Sequence, residues 1–173
     1  MGAERCTIVH PVPTGCPCGD CVSPLETVLF EGVVAHSPAH SFRMNQKNRD
    51  YFDRQVERVL ERLPPNVLDI LQEVPIHVED QPSESLMQEL NIADPEELCA
   101  YFCGVPYGQP MGHEVHVPNH VTLFRRGIAA ASRNARGNVC RHKLCREIRI
   151  TILHELAHLH GMDEDEIADA GYA

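Results

Sequence analysis

Apolar residues recur at helical spacing in two long stretches of the chain. In residues 48–63 they return every three or four positions, Arg and Glu occupy the opposite face, and a double proline at Pro64 and Pro65 ends the pattern. In residues 141–160 the apolar positions surround nearly the whole helix from Ile150 onward. The first pattern predicts an amphipathic surface helix, and the second predicts a buried one.

Shorter segments with the pattern of β-strands lie between these two helices. Residues 74–79 alternate between apolar and polar, residues 98–105 are mostly apolar, and residues 120–124 form a clear strand pattern. Residues 66–72 predict a short helix, and residues 84–90 predict a helical turn. The basic, glycine-containing segment after the last strand predicts a linker.

The composition divides the chain into two parts. Its 173 residues are 43% hydrophobic, which is enough for one compact domain with an appended segment. Residues 1–45 hold five of the 13 prolines and four of the eight cysteines, and they show little periodicity. We therefore predict a Cys- and Pro-rich N-terminal extension over residues 1–45 and a folded domain over residues 46–173.

Charge and hydropathy narrow the choice of partners and location. The 15 Lys and Arg residues against 25 Asp and Glu residues give a net charge of −10, which disfavours nucleic-acid binding. The eight basic residues of segment 125–149 are interpreted as a solvated loop, or else as a positive rim that attracts an acidic partner. The sequence has neither a signal-peptide pattern nor an apolar run of about 18 to 20 residues, so we expect a cytoplasmic protein without a membrane partner.

The cysteines of the extension form a second, separate pattern. Without a secretory signal, the eight cysteines are expected to be reduced thiols rather than a disulfide framework. Cys16, Cys18 and Cys21 have C-x-C-x2-C spacing, with Cys6 upstream. Four thiolates so close in sequence predict a second, structural zinc site, and the alternative is a flexible, reduced tail.

The buried helix carries the motif with the clearest chemistry, His154-Glu155-Leu156-Ala157-His158. Positions i and i+4 lie about 40° apart around a helix, so both imidazoles can bind one ion. Glu155 can then reach a water held by that ion and act as a general base. This arrangement is typical of zinc hydrolases, whereas the alternative is a buried helix with satisfied histidines.

The residues after this motif supply candidates for a third ligand. Gly161 stands three residues after His158, where a left-handed turn directs the chain back toward the metal. Asp163 and Glu164 follow at once, and either carboxylate is a candidate ligand.

Residues 152–161, continued by residues 162–167 and by Gly171-Tyr172, resemble a small family of minimal zincin-like metallopeptidases. The family is known mainly from bacteria, and its motif reads HExxHxxGxxD. The resemblance extends to residues 51–63, 74–80, 101–106 and 117–125. It implies an α+β, minimal zincin-like fold in which a short mixed β-sheet packs against the HExxH helix.

The resemblance also assigns roles to individual residues. It implies that His154 and His158 bind zinc and that Glu155 is the catalytic acid and base. The family's third ligand is an Asp three positions after the glycine, and this sequence has Glu164 there. Glu164 is therefore the first candidate for the third ligand, and Asp163 is the alternative.

The expected function is zinc-dependent hydrolysis of peptide bonds in a peptide or protein substrate. The strand at residues 120–124 is expected to lie at the edge of the sheet and to pair with an extended substrate. The substrate-binding residues would be Val121, Thr122, Leu123 and Phe124. The competing interpretations are a zinc-binding module with a degenerate, non-hydrolytic zincin fold and a cysteine-rich adaptor attached to such a domain.

Overall fold

The computed structural model describes residues 44–105, 107 and 118–172. The predicted cysteine cluster of Cys6, Cys16, Cys18 and Cys21 lies outside the described residues. The second zinc site therefore stays a prediction, and so does the division of the chain at residue 45.

The described residues form six α-helices, one short 3-10 helix and three β-strands. The helices are α1 (Gln46–Leu60), α2 (Pro65–Glu73), α3 (Glu84–Leu90), α4 (Arg125–Ala131), α5 (Arg141–Leu159) and α6 (Glu164–Asp169), with the 3-10 helix at Pro95–Glu97. The strands are β1 (Ile76–Glu79), β2 (Ala100–Cys103) and β3 (His120–Phe124). The fold is therefore α+β, as the resemblance implied.

Helix α1 corresponds to the helix predicted over residues 48–63, and it begins two residues and ends three residues earlier than predicted. The Asn45 side chain accepts a hydrogen bond from the backbone N–H of Asn48 at 2.9 Å, which satisfies one of the free donors of the first turn. After Leu60 the chain turns toward the double proline, and Pro65 takes the first position of α2, where it loses no helical hydrogen bond. The apolar face of α1 is buried, with Phe52 completely inaccessible to solvent.

The sheet has the strand order β1-β3-β2, with β3 in the centre. Strand β1 pairs with β3 in parallel, from Ile76 opposite Val121 onward. Strand β2 pairs with β3 in the antiparallel direction, from Ala100 opposite Leu123 onward. The sheet is short and mixed, as expected.

The predicted substrate-binding role of β3 as an edge strand is wrong. Its four named residues, Val121, Thr122, Leu123 and Phe124, all have a partner residue on β1, and three of them also have one on β2. Because β3 is hydrogen-bonded on both sides, its backbone cannot accept an added strand. The outer strands of the described sheet are β1 and β2.

Helix α5 is the central element of the core. Its buried residues Leu144, Ile148, Ile152 and Leu156 repeat every four positions and belong to one apolar cluster with residues of α1, β2 and β3. A stripe at this spacing lies along one side of a helix. The packing fixes the position of α5 and therefore of the histidines on its last two turns.

The segment after β3 is a helix, not the linker that we predicted. Helix α4 buries Ile128 and Ala129, which gives this segment an apolar side. At its start, the Arg125 guanidinium lies 2.8 Å from the Asp53 carboxylate and 3.1 Å from that of Asp80. Arg125 is thus bound by two acids from earlier parts of the chain.

No helix in the described part of the chain is both long enough and apolar enough to span a membrane.

Candidate metal centre

The end of α5 turns the chain back on itself through Gly161, which has a φ of +79°. The Gly161 N–H donates to the His158 carbonyl at 2.9 Å, and the Met162 N–H donates to the Ala157 carbonyl at 3.2 Å. These two bonds define a Schellman motif, in which glycine is favoured because it adopts a positive φ without a steric penalty. The predicted left-handed turn at Gly161 is confirmed.

Helix α6 starts directly after this turn, with Asp163 as its N-cap. The Asp163 carboxylate accepts a hydrogen bond from the Glu166 N–H at 2.9 Å, and the Glu166 carboxylate accepts one from the Asp163 N–H at 3.0 Å. This capping box occupies the Asp163 side chain. The neighbouring Glu164 side chain is the one that approaches the histidines.

Three side chains converge where α5 and α6 meet. The His154 Nε2 and His158 Nε2 atoms are 2.9 Å apart. One Glu164 carboxylate oxygen lies 3.5 Å from the His154 Nε2, and the other lies 3.3 Å from the His158 Nε2. One potential ligand atom from each residue lies within 4.8 Å of the other two, and the described residues contain no other such group of three.

This donor set fits a zinc ion. Zinc binds imidazole nitrogen and carboxylate oxygen at about 2.0–2.2 Å, usually in a tetrahedral arrangement whose ligand atoms are about 3.3–3.4 Å apart. Both separations between Glu164 and the imidazoles are close to that value, and the two nitrogens lie slightly closer together. Two nitrogens and one oxygen leave a fourth position for a water or a substrate, as in catalytic zinc sites.

Backbone groups form hydrogen bonds with both imidazoles. The His154 Nδ1 lies 2.9 Å from the carbonyl oxygen of Tyr172. Because a carbonyl only accepts, Nδ1 carries the proton and donates, which leaves the lone pair on Nε2 for a metal. The His158 ring makes its own hydrogen bond with the backbone of Met162.

The electrostatic surroundings favour the neutral form of the second histidine. Burial, and next the proximity of His154, lower the pKa of His158, although Glu164 partly opposes this. A neutral imidazole is the form that binds a metal, so His158 is a competent ligand at neutral pH. His154 is only 2% exposed, whereas Glu164 is 61% exposed, so the histidines form the buried side of the cluster and the carboxylate forms its solvent side.

Glu155 lies in α5 between the two histidines in sequence, and it is completely buried. Glu155 lies near the start of β2, because it helps to raise the pKa of Cys99, the residue before that strand. Burial raises the pKa of this thiol to about 12, with additional effects from Glu147 and Glu155. Cys99 is therefore a protonated core residue, and Glu155 is close enough to act on it electrostatically.

Glu147 lies two turns before Glu155 on α5 and is only 7% exposed. Burial raises its pKa above 4.5, although Arg146 and Lys143 partly oppose this. The folded state therefore binds this proton more tightly than the unfolded chain, and it loses stability as the pH rises from 4.5 through the folded-state pKa.

Since Gln mimics the protonated form, Glu147→Gln should raise the unfolding temperature of metal-free protein at pH 7.5 and have little effect below pH 4.5.

The measurement is thermal unfolding at both pH values, with Glu57→Gln on the exposed side of α1 as the control. Glu57 is exposed, and that control should change the unfolding temperature little at either pH. An equal gain from Glu147→Gln at both pH values would show that the buried charge is not the cause.

Three of the four metal ligands that the sequence offered come together in the structure. His154, His158 and Glu164 come together, whereas Asp163, the alternative ligand, is engaged as a helix cap. The contact that the sequence did not reveal is the Tyr172 carbonyl. The signal in the sequence was the glycine before Tyr172, which is typical of a turn after a helix.

The fold is α+β, and its central helix presents two histidines one turn apart, with a carboxylate from the following helix. This combination is typical of the zincin class. The family model of the zincin-like metallopeptidases matches residues 71–172, and the chain belongs to this family. The matched region runs from the end of α2 to the residue whose carbonyl contacts His154. A comparison with curated proteins gives no match.

Proposed function

We propose that this protein is a zinc-dependent peptidase whose metal is held by His154, His158 and Glu164. The observation that carries the proposal is the convergence of these three side chains, whose potential ligand atoms lie 2.9–3.5 Å apart. The chain's membership of the zincin-like metallopeptidase family supports the same function. Zinc, when bound, supplies Lewis acidity that lowers the pKa of a water ligand and polarises a carbonyl.

In this proposal the protein's own contribution to the chemistry is proton transfer by Glu155. Glu155 accepts a proton from the attacking water and returns it to the amine that leaves when the peptide bond breaks. Complete burial on the rigid helix α5 limits the positions that this carboxylate can adopt. The backbone hydrogen bonds of His154 and His158 keep the orientations of the two rings fixed.

The substrate is proposed to be an extended peptide that pairs with β2. This strand is an outer strand of the described sheet and packs against α5, which carries the histidines. Strand addition needs a backbone edge, and β2 replaces β3 as the element that offers it.

The proposal is tested by metal content and hydrolysis measured on the same preparation. Full-length protein loaded with zinc and dialysed should retain one ion in the α5–α6 site and cleave a denatured protein substrate. A variant with Ser in place of Cys6, Cys16, Cys18 and Cys21 should keep that ion and that activity. A second ion lost only in this variant would identify the cysteine cluster as a structural site.

Removal of zinc by a chelator should abolish cleavage, and zinc added back should restore it. A protein that binds one ion in the α5–α6 site without cleaving any substrate would instead support a zinc-binding module. A folded protein that takes up no zinc there would overturn the proposal.

A further inference from the structure

Helices α5 and α6 end in the same kind of turn. Helix α6 is followed by Gly171, with a φ of +82°, and its N–H donates to the Ala168 carbonyl at 2.9 Å. The Tyr172 N–H donates to the Ile167 carbonyl at 3.1 Å. These bonds form a second Schellman motif, with Gly171 in the place that Gly161 has after α5.

Each turn is followed by a residue whose backbone contacts one of the two histidines. Met162, directly after Gly161, makes a backbone hydrogen bond with His158. Tyr172, directly after Gly171, accepts from the His154 Nδ1 at 2.9 Å. Each glycine turn therefore brings the backbone of the residue after it into a hydrogen bond with one of the two imidazoles.

We propose that the Gly171–Tyr172 turn is a positioning element of the metal site, which fixes the proton of His154 on Nδ1 and thereby directs the Nε2 lone pair to the metal. This inference rests on the proposed metal site, and it adds a role for a turn outside the ligand set. Hydrogen bonds to the outer nitrogen of a ligating histidine set its tautomer and ring orientation.

The positive φ of Gly171 is what gives the turn its shape. A Cβ atom built on Gly171 meets no atom within 4 Å, so a larger side chain has room there. The cost of a larger side chain at Gly171 is conformational, because a β-branched residue disfavours a φ of +82°. Gly171→Val should therefore displace the Tyr172 carbonyl without creating a clash.

The chain contains a matched control for this substitution. Gly137, in the turn between α4 and α5, has a φ of +79°, and a Cβ there also meets no atom within 4 Å. Gly137→Val should thus impose the same backbone strain in a turn whose hydrogen bonds join Asn134 to Gly137 and Asn138, away from the α5–α6 site. Tyr172→Ala is a second control, because it removes the side chain and keeps the carbonyl.

The test measures the zinc dissociation constant of the full chain by competition with a chromogenic chelator. Gly171→Val should raise this constant by about 10- to 100-fold, which is the usual effect of losing an outer hydrogen-bond partner of a metal ligand. Gly137→Val should lower the unfolding temperature by a similar amount as Gly171→Val and leave the zinc constant within about twofold of wild type, as should Tyr172→Ala. Equal zinc constants in the two glycine variants would overturn the inference.

A second measurement needs no variant. Long-range ¹H–¹⁵N spectra of metal-free wild-type protein report which ring nitrogen of a histidine carries the proton, and His154 should be protonated at Nδ1. Protonation at Nε2 alone would overturn the inference even if Gly171→Val failed to fold. Failure of the wild-type α5–α6 site to bind zinc would overturn the proposed function and this inference with it, whereas zinc bound equally by all variants would overturn only the inference.

Discussion

Replacing Glu155 by Gln should leave zinc bound and reduce peptide hydrolysis by about 10²- to 10⁴-fold, the range typical of a lost general acid or base. Gln has nearly the same shape as Glu, so the buried position on α5 tolerates it sterically. It cannot accept the proton of the attacking water. The measurement is the rate of hydrolysis per zinc-loaded protein, together with the zinc content of the same sample.

Glu147→Gln is the matched control for this experiment. Glu147 is also a buried carboxylate on α5, two turns before Glu155, and it is not part of the ligand cluster. Its replacement should leave the rate per bound zinc unchanged. A Glu155→Gln protein that holds zinc and cleaves at the wild-type rate would show that Glu155 is not the base.

Replacing Glu164 by Ala should weaken zinc binding by about a hundredfold or more. Structural zinc sites with four ligands bind with about 10–16 kcal/mol, or roughly 3 kcal/mol per ligand, and each 1.4 kcal/mol is a factor of ten. The exposed position of Glu164 makes a loss of folding stability small by comparison. The measurement is the zinc dissociation constant by chelator competition.

Asp163→Asn distinguishes the two candidate carboxylates. Asn caps a helix about as well as Asp, so this variant keeps α6 intact while it removes the Asp163 charge. Its zinc constant should stay within a few-fold of wild type. The reverse result, with zinc lost from Asp163→Asn and kept by Glu164→Ala, would identify Asp163 as the third ligand.

Regular helical periodicity explains how much of the fold could be predicted. The buried helix was predicted over residues 141–160, and α5 spans Arg141–Leu159. The linker prediction at α4 was wrong because basic residues and a glycine resemble a loop in the sequence. Tertiary interactions stabilise this helix, namely the burial of Ile128 and the ion pairs of Arg125 with Asp53 of α1 and with Asp80, the residue after β1.

The position of a strand within a sheet was not readable from one sequence. Val121 and Leu123 are both completely buried in β3, and an outer strand with one covered face shows the same alternation of apolar and polar residues. Whether a strand lies at the edge or in the centre of a sheet is decided by which backbones pair. That pairing joins β3 to β1 and to β2, which are far from it in sequence.

The candidate site shows the same division between local and tertiary information. The spacing of His154 and His158 on one helix is a local property, and the sequence predicted that they would face one ion. The Tyr172 carbonyl could not be recognised in this way, because every residue carries a carbonyl group. Only the folded path of α6 brings this particular one to the His154 ring.

The ligand cluster draws all three of its side chains from one short stretch, between His154 and Glu164. The unfolded chain therefore keeps the same ligands near one another and retains some affinity for the ion. Thermodynamic linkage then reduces the stabilisation that zinc gives to the native state, since only the difference between native and unfolded affinities counts. Saturating zinc should thus raise the unfolding temperature by less than the native dissociation constant alone implies.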